Sequence, residues 1–405
     1  MSMSSPAPPS GPSIGESAKA PADAPASSSD WRRLFSLREM GVYYALILLV
    51  LVLSVTTAYS GRPNYLSVLN VTNVLYQSSL TAIMAVAMTV ILITGNFDLS
   101  VASVAALSAA VLIGTADAIG FWPSVGAAMS VAVAAGLLNG VIVQLLGINA
   151  FIVTLGTLTA IRGVVLLYTN GHSLSVSNPG VIEAMRAFEE GRLEVALPCI
   201  AVGVVLIIVA AAFAFRARRA REGLPAVCLG IASGGVCLIA LGAFQREALT
   251  LPKPVIYMGI YAAIIWFALT FTTIGRRVYA VGGNSEAARL SGINVGRYKM
   301  GAFILCSAAA GFVGVLFASR LRSINPAALQ GAELTVIASA ILGGTSLYGG
   351  AGSVAKTIAG ALLLFTLTNG FNILNLGANY QGIIEGTVIV AAAAIYTVGS
   401  AGRRK

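Results

Sequence analysis

Apolar residues in this chain run in long unbroken stretches, not at every second or every third to fourth position. Residues 255–274, VIYMGIYAAIIWFALTFTTI, are one such stretch. A run of roughly 20 apolar residues is the length of an α-helix that crosses a ~30 Å hydrocarbon layer. Alternation in segments of about 10 residues, the mark of a membrane β-barrel, is not seen. Twelve segments are predicted, near 41–59, 72–94, 98–119, 122–146, 150–170, 196–215, 224–244, 254–273, 299–319, 332–350, 354–374 and 380–398. The 332–350 segment carries Glu333 near its start and ends in glycines, so it fits a re-entrant segment as well as a span. The fold class expected is an all-α polytopic membrane protein with about 10–12 transmembrane helices.

Composition agrees and excludes a soluble domain. The 405 residues are 57% hydrophobic and 10% charged. The pattern breaks in two places. Residues 1–30, rich in Ser, Ala and Pro, read as a disordered tail, leaving 31–405 as the membrane domain. Residues 275–299, GRRVYAVGGNSEAARLSGINVGRYK, form a polar island between two apolar runs. Net charge is +10, which in such a chain points to basic cytoplasmic loops and not to nucleic acid. With the N-terminus inside, the cytoplasmic loops collect Arg32, Arg33 and Arg38, then Arg216 to Arg221, the basic residues of the island, and Arg403 to Lys405. The other side holds fewer: Arg62, Arg186, Arg192, Arg246, Lys253, Arg320 and Arg322. This bias predicts both termini, and the island, in the cytoplasm.

Within the island, Asn284 or Ser285 is placed to cap a short helix, and Glu286 in its first turn complements the helix dipole. Ala287, Ala288 and Leu290 favour helix, and Gly292 is placed to end it. A helix of about two turns lying along the membrane between two spans would pass motion from a cytoplasmic partner into the membrane. The plain alternative is an ordinary basic loop.

GGNSEAARLSGI in this island resembles the cytoplasmic coupling-loop motif of sugar-type ABC importer permeases, the ribose/xylose/galactose class. Three other stretches resemble that family in the same order: TGNFDLSV at 94–101, AFIVTLGTL at 150–158, and GAELTVIASAILGGTSLYGGAG at 331–352. The resemblance implies a permease that performs no chemistry itself. It implies three partners: a cytoplasmic ATP-binding subunit, a periplasmic sugar-binding protein and a second permease subunit in the bacterial inner membrane. It places the ATPase contact on Asn284, Glu286, Ala287, Ala288, Arg289, Gly292 and Gly296. An extra hydrophobic hairpin at 196–244 resembles the xylose-type members and favours a pentose, with xylose the best guess.

Polar groups inside apolar runs are the candidates for a solute path or gate: Asp98, Asn139, Gln144, Glu333, Asn369 and Asn372. Interhelical hydrogen bonding is the structural alternative for each. Asp98 also reads as a cap for a helix beginning at Leu99. Arg162, Lys356 and Glu385 are further charges at or inside apolar runs. An ion- or proton-coupled secondary transporter, with Asp98, Glu333 or Glu385 as the coupling carboxylate, is the other function class that fits. GAGSVAKT at 350–357 nearly spells a phosphate loop, but Ala355 stands where that loop needs glycine. Cys199, Cys228, Cys237 and Cys306 form no CxxC pair, and His172 has no second histidine, so no metal, cofactor or catalytic site is expected. Because the tail lacks residues to pack, deleting residues 1–28 is expected to leave insertion and transport intact, measured by membrane fractionation and solute uptake.

Overall fold

The computed structural model describes residues 37–219, 226–244, 250–375, 382–383 and 386–387. The tail 1–30, the basic residues Arg32, Arg33, Arg221, Arg246 and 403–405, Glu385 and most of the 380–398 segment lie outside the described residues. The chain divides into two units, 1–40 and 41–405. Of the first, only residues 37–40 are described.

The helices are α1 (Leu37–Tyr59), α2 (Val68–Ile93), α3 (Val101–Ile119), α4 (Phe121–Leu145), α5 (Ala150–Tyr168), α6 (Pro179–Glu189), α7 (Ala196–Arg219), α8 (Ala226–Phe244), α9 (Lys253–Phe271), α10 (Thr273–Gly283), α11 (Ser285–Leu290), α12 (Val295–Leu321), α13 (Ala332–Leu342) and α14 (Val354–Leu374). Among the described residues, eight helices are long and apolar enough to cross a membrane: α1, α2, α3, α4, α5, α9, α12 and α14. The protein is an all-α polytopic membrane protein. The 332–350 segment does not form a span: α13 has 11 residues, about 16 Å of helix, which falls short of a ~30 Å core. The glycines that follow, Gly343 and Gly344, stop it.

Among the described residues strands form two antiparallel pairs. β1 (Leu174–Ser175) pairs with β4 (Ser323–Ile324), placing Leu174 opposite Ile324. β2 (Arg192–Glu194) pairs with β3 (Thr250–Pro252), placing Glu194 opposite Thr250. The second pair closes the base of the α7–α8 hairpin.

The core is built on α2, whose residues Ala82 to Ile93 are nearly all inaccessible. Lipid tails are as apolar as the side chains, so water exclusion does not drive one helix onto another within the membrane. Close packing of small residues and hydrogen bonds between helices do. On α4, Gly136 and Gly140 let that helix sit on Ser307, Phe303 and Met300 of α12. On α12, Gly314 faces the Ala105 carbonyl of α3, where an added Cβ would lie 2.2 Å from the oxygen. Ser108 donates to the Gly311 carbonyl at 2.9 Å across the same contact. Thr89 and Thr357 share a hydrogen bond of 2.6 Å between α2 and α14. Each such bond is worth about 0.6 kcal/mol on average, so the many glycine and alanine contacts outweigh them. The outer faces stay apolar toward lipid, as with Leu48 and Val55 on α1 and Ile152 and Leu167 on α5.

Helices α7 and α8 pack chiefly on each other, with Gly203 against Gly235 and Ile239, and Gly242 against Ala196 and Ile200. Because Glu194 and Thr250 are cross-strand partners, their Cα atoms stand about 5 Å apart. Replacing residues 196–248 by a short Gly/Ser bridge is therefore expected to leave insertion unchanged and thermal unfolding of the detergent-solubilised protein within a few degrees of the parent. Aggregation of the shortened chain would show instead that the hairpin is part of the core.

Candidate functional site

The polar island folds as two helices and not as one helix in a loop. The first, α10, was not legible as a helix in the sequence reading. Its start is set by Thr272, whose hydroxyl accepts from Gly275 N–H at 3.3 Å, and Val278 and Val281 bury one face. That i, i+3 pair was the available signal. The second is the expected short helix. Asn284 caps α11, its side-chain oxygen accepting from Ala287 N–H at 2.9 Å, and Ser285 is the first helical residue. Gly292 ends the turn with φ +79°, a left-handed conformation that glycine adopts without strain. Asn294 then caps α12 through Arg297 N–H at 3.1 Å. Gly296 lies in the first turn of α12 beside Gln144.

One face of α11 is anchored by buried Ala288. The rest is open: Ala287 is exposed, Leu290 is 81% exposed, and Glu286 and Arg289 pair at 2.8 Å on the surface. A surface pair of this spacing adds only about 0.2–0.5 kcal/mol, so its residues remain available to a partner. An exposed leucine rimmed by a charged pair on a capped helix is suited to a protein groove.

Behind α11 three segments meet backbone to backbone. Gly282, at the end of α10, lies on the Ile93 carbonyl at the end of α2: an added Cβ would stand 1.5 Å from that oxygen and 2.7 Å from Gly350 N. Gly350 N–H donates to the same Ile93 carbonyl at 2.9 Å. Gly349, with φ +86°, lies against the Gly282 carbonyl and Gly95 Cα. Tyr279 donates to the Gly352 carbonyl at 2.9 Å. Three of the four motif stretches read from the sequence thus converge on one junction.

The 94–100 segment runs from this junction into the core. Asp98 does not cap a helix at Leu99: α3 begins at Val101, and Asp98 Oδ1 accepts instead from Ser100 N–H at 2.9 Å and Ser100 O–H at 2.5 Å. Burial is the reason, since Asp98 and Ser100 are both inaccessible and their polar atoms must be satisfied locally. Asn139 of α4 donates to Ser100 Oγ at 2.9 Å. Asp98 Oδ2 and Asn139 Oδ1 have no partner.

The other pathway candidates do not join this pair. Gln144 lines a cavity of about 620 Å³ with Asn96, Asn149 and Lys299. Asn369 makes a reciprocal amide pair with Asn70 at 3.2 and 3.0 Å. Asn372 is exposed. Glu333 sits in the first turn of α13 with Oε2 buried and unpartnered. Arg162 donates to the Pro326 and Ala328 carbonyls at 3.1 and 2.8 Å. The 350–357 near-match to a phosphate loop follows a turn and not a strand. Among the described residues no three His, Cys, Asp or Glu side chains gather as a metal site.

A further cluster at the far end of α12 was missed in the sequence. Helix α6 follows the Asn178–Pro179 cap signal, and its last residue, Glu189, is only 1% exposed. Tyr76 donates to Glu189 Oε1, and Arg320 lies 4.4 Å over the Tyr76 ring. Burial pushes the Glu189 carboxyl above the usual carboxylate range, with the Tyr76 hydrogen bond and the Arg320 charge opposing. Beside it Phe188 stacks on Tyr257 and meets Phe121, Trp122 and Phe312, while Arg322 pairs with Glu190 at 2.9 Å.

The family model described as branched-chain amino acid transport system / permease component matches residues 70–393. The ribose import permease protein RbsC of Escherichia coli K12 is 35% identical over 365 residues, 89% of this chain and 95% of the relative. The xylose transport system permease protein XylH of the same strain is 33% identical over 338 residues, 81% of this chain and 84% of the relative. The ribose import permease protein RbsC of Bacillus subtilis 168 is 31% identical over 364 residues, 88% of this chain and 92% of the relative. No solved structure matches.

The junction yields a paired test. Gly282→Ala forces a methyl onto the Ile93 carbonyl and is expected to cost about 1–3 kcal/mol, read as a lowered melting temperature of the solubilised protein. Gly283→Ala meets no atom within 4 Å and is expected to be neutral. Equal melting of the two variants would remove the junction as a structural constraint.

Proposed function

The chain belongs to the branched-chain amino acid transport system / permease component family, and on that premise we propose that it is the membrane-spanning subunit of an ATP-driven sugar importer. The family description names amino acids, but relatives matching more than four-fifths of the chain are ribose and xylose permeases, which favours a pentose. They include both sugars, so the lean toward xylose drawn from the 196–244 hairpin gains nothing over ribose.

In this reading the permease carries no chemistry. A cytoplasmic ATPase seats α11 in a groove, a periplasmic binding protein delivers the sugar, and two permease copies enclose the path. Both termini and the island face the cytoplasm. The observation that supports coupling is the junction itself: α11 is one residue from α10, whose Gly282 rests directly on the ends of α2 and of the 343–352 loop. Motion imposed on α11 by ATP binding reaches both re-entrant loop and core helix through backbone contact, with no flexible side chain between. Asp98 and Asn139 lie on the next segment, where a shift of the 94–100 turn would move them. The domain reading that accompanies this is a 1–30 tail, a permease domain, the appended 196–244 hairpin and the 275–299 coupling segment.

The test is uptake into vesicles holding the permease with its ATPase and binding protein, offered ribose, xylose, galactose and leucine in turn. ATP-dependent uptake of a pentose is expected. Uptake that needs no ATP and collapses with the proton or sodium gradient would replace this reading with the secondary transporter. Glu286→Lys reverses the charge at the exposed start of α11, and Gly292→Pro cannot adopt φ +79°. Both are expected to lower ATP-dependent uptake at least about tenfold, or ~1.4 kcal/mol of coupling, while membrane insertion holds. Normal uptake in both would sink the assignment of the ATPase contact to this helix.

A further inference from the structure

Lys299 is a half-buried cation with no carboxylate at ion-pair distance among the described residues. The ion pairs among the described residues are Arg186–Glu190, Arg289–Glu286 and Arg322–Glu190, and Lys299 is in none of them. Its side chain lines the cavity of about 620 Å³ formed where residues 95–97 and 143–151 face the start of α12. Withdrawing an ammonium from water without a counter-charge is costly, so the cavity favours an occupant that supplies one.

The rest of the lining specifies what that occupant carries. Asn149 spends its side-chain oxygen on Phe151 N–H at 2.9 Å, which leaves its NH₂ group to donate. Gln144 makes no hydrogen bond to the described residues and faces the same space. Asn96 donates to Thr94 Oγ1 at 3.2 Å, so its oxygen and that of Gln144 are acceptors on the wall, and the excess of donors comes from the Lys299 ammonium and the Asn149 NH₂ group. Phe97 and Phe151 supply the apolar sides. A free sugar brings hydroxyl donors and acceptors in equal measure, whereas a phosphate ester brings only acceptors at its charged end. The volume lies in the range of pockets that enclose whole small molecules, about 300–1,000 Å³, and exceeds what a lone phosphate ion fills.

We propose that this cavity binds a phosphate ester through Lys299, Gln144 and Asn149. The group comes either from a soluble sugar phosphate or from a lipid headgroup. The site is separate from α11 and does not depend on which solute the permease carries.

The test uses the purified full-length permease in phosphatidylcholine nanodiscs, titrated calorimetrically with ribose 5-phosphate and with ribose. A second preparation replaces part of the lipid with phosphatidylglycerol and is read by thermal unfolding. Two results support the proposal: ribose 5-phosphate binding that falls about tenfold or more in Lys299→Met and survives in Lys299→Arg, or a phosphatidylglycerol stabilisation with the same dependence. The first identifies a soluble ester and the second a headgroup. Absence of both effects in the parent, or equal effects in Lys299→Met, overturns it. Ribose binding as tightly as its phosphate, with no loss in Lys299→Met, overturns it in favour of a neutral solute path. Loss of ATPase co-purification in Lys299→Met, with no phosphate effect in the parent, overturns it in favour of a carboxylate from the ATPase.

Discussion

The contact on which the rest depends is the Gly282 backbone lying on the Ile93 carbonyl. No side chain separates the two main chains at this point, so α10 and α2 touch backbone to backbone. Gly350 N–H closes the same carbonyl from the 343–352 loop. A junction made this way does not deform by rotamer changes; it moves as a unit or it breaks. That is the property the proposed coupling through α11 requires.

The surrounding membrane sets the terms for the other polar groups. Every donor and acceptor away from water has to find a partner inside the protein. Ser100 shows the logic: its hydroxyl gives its proton to Asp98 and accepts from Asn139, tying the 94–100 turn to α4. Thr89 with Thr357 and Asn70 with Asn369 join α2 to α14 in the same way. Several residues that stand out in the sequence as intrusions of polarity are therefore fasteners between helices. Asp98, Asn139, Glu189 and Glu333 are among the buried residues that each keep an oxygen with no partner among the described residues.

Legibility followed the range of the determining interaction. The start of α11 was readable because Asn284 reaches only as far as Ala287, and its end because Gly292 needs a conformation few residues take. Eight of the spans were readable from apolar length, whereas the 332–350 run was long enough on paper and is broken by Gly343 and Gly344 after 11 helical residues. Helix α10 was not readable, since its buried face is the short pair Val278 and Val281 in an otherwise polar segment. Helix α6 was hidden for a similar reason: its buried residues include the acid Glu189, whose burial depends on Tyr76 more than one hundred positions away. Asp98 does bond locally, to Ser100 two residues on, but the helix itself starts later, at Val101 with Ser100 as its N-cap residue.

By itself the sequence determined that the chain crosses a membrane as α-helices, where it is polar, and that a capped helix stands between two spans. These follow from run length, composition and contacts within four residues. Only the tertiary structure decided that Gly95, Gly282 and Gly350 occupy one junction, and that Asp98, Ser100 and Asn139 form one buried chain. It also decided that Lys299 lines a cavity with no ion-pair partner among the described residues. Those facts depend on segments far apart in the chain approaching within a few ångströms, and no local pattern of residue types records which backbones will touch.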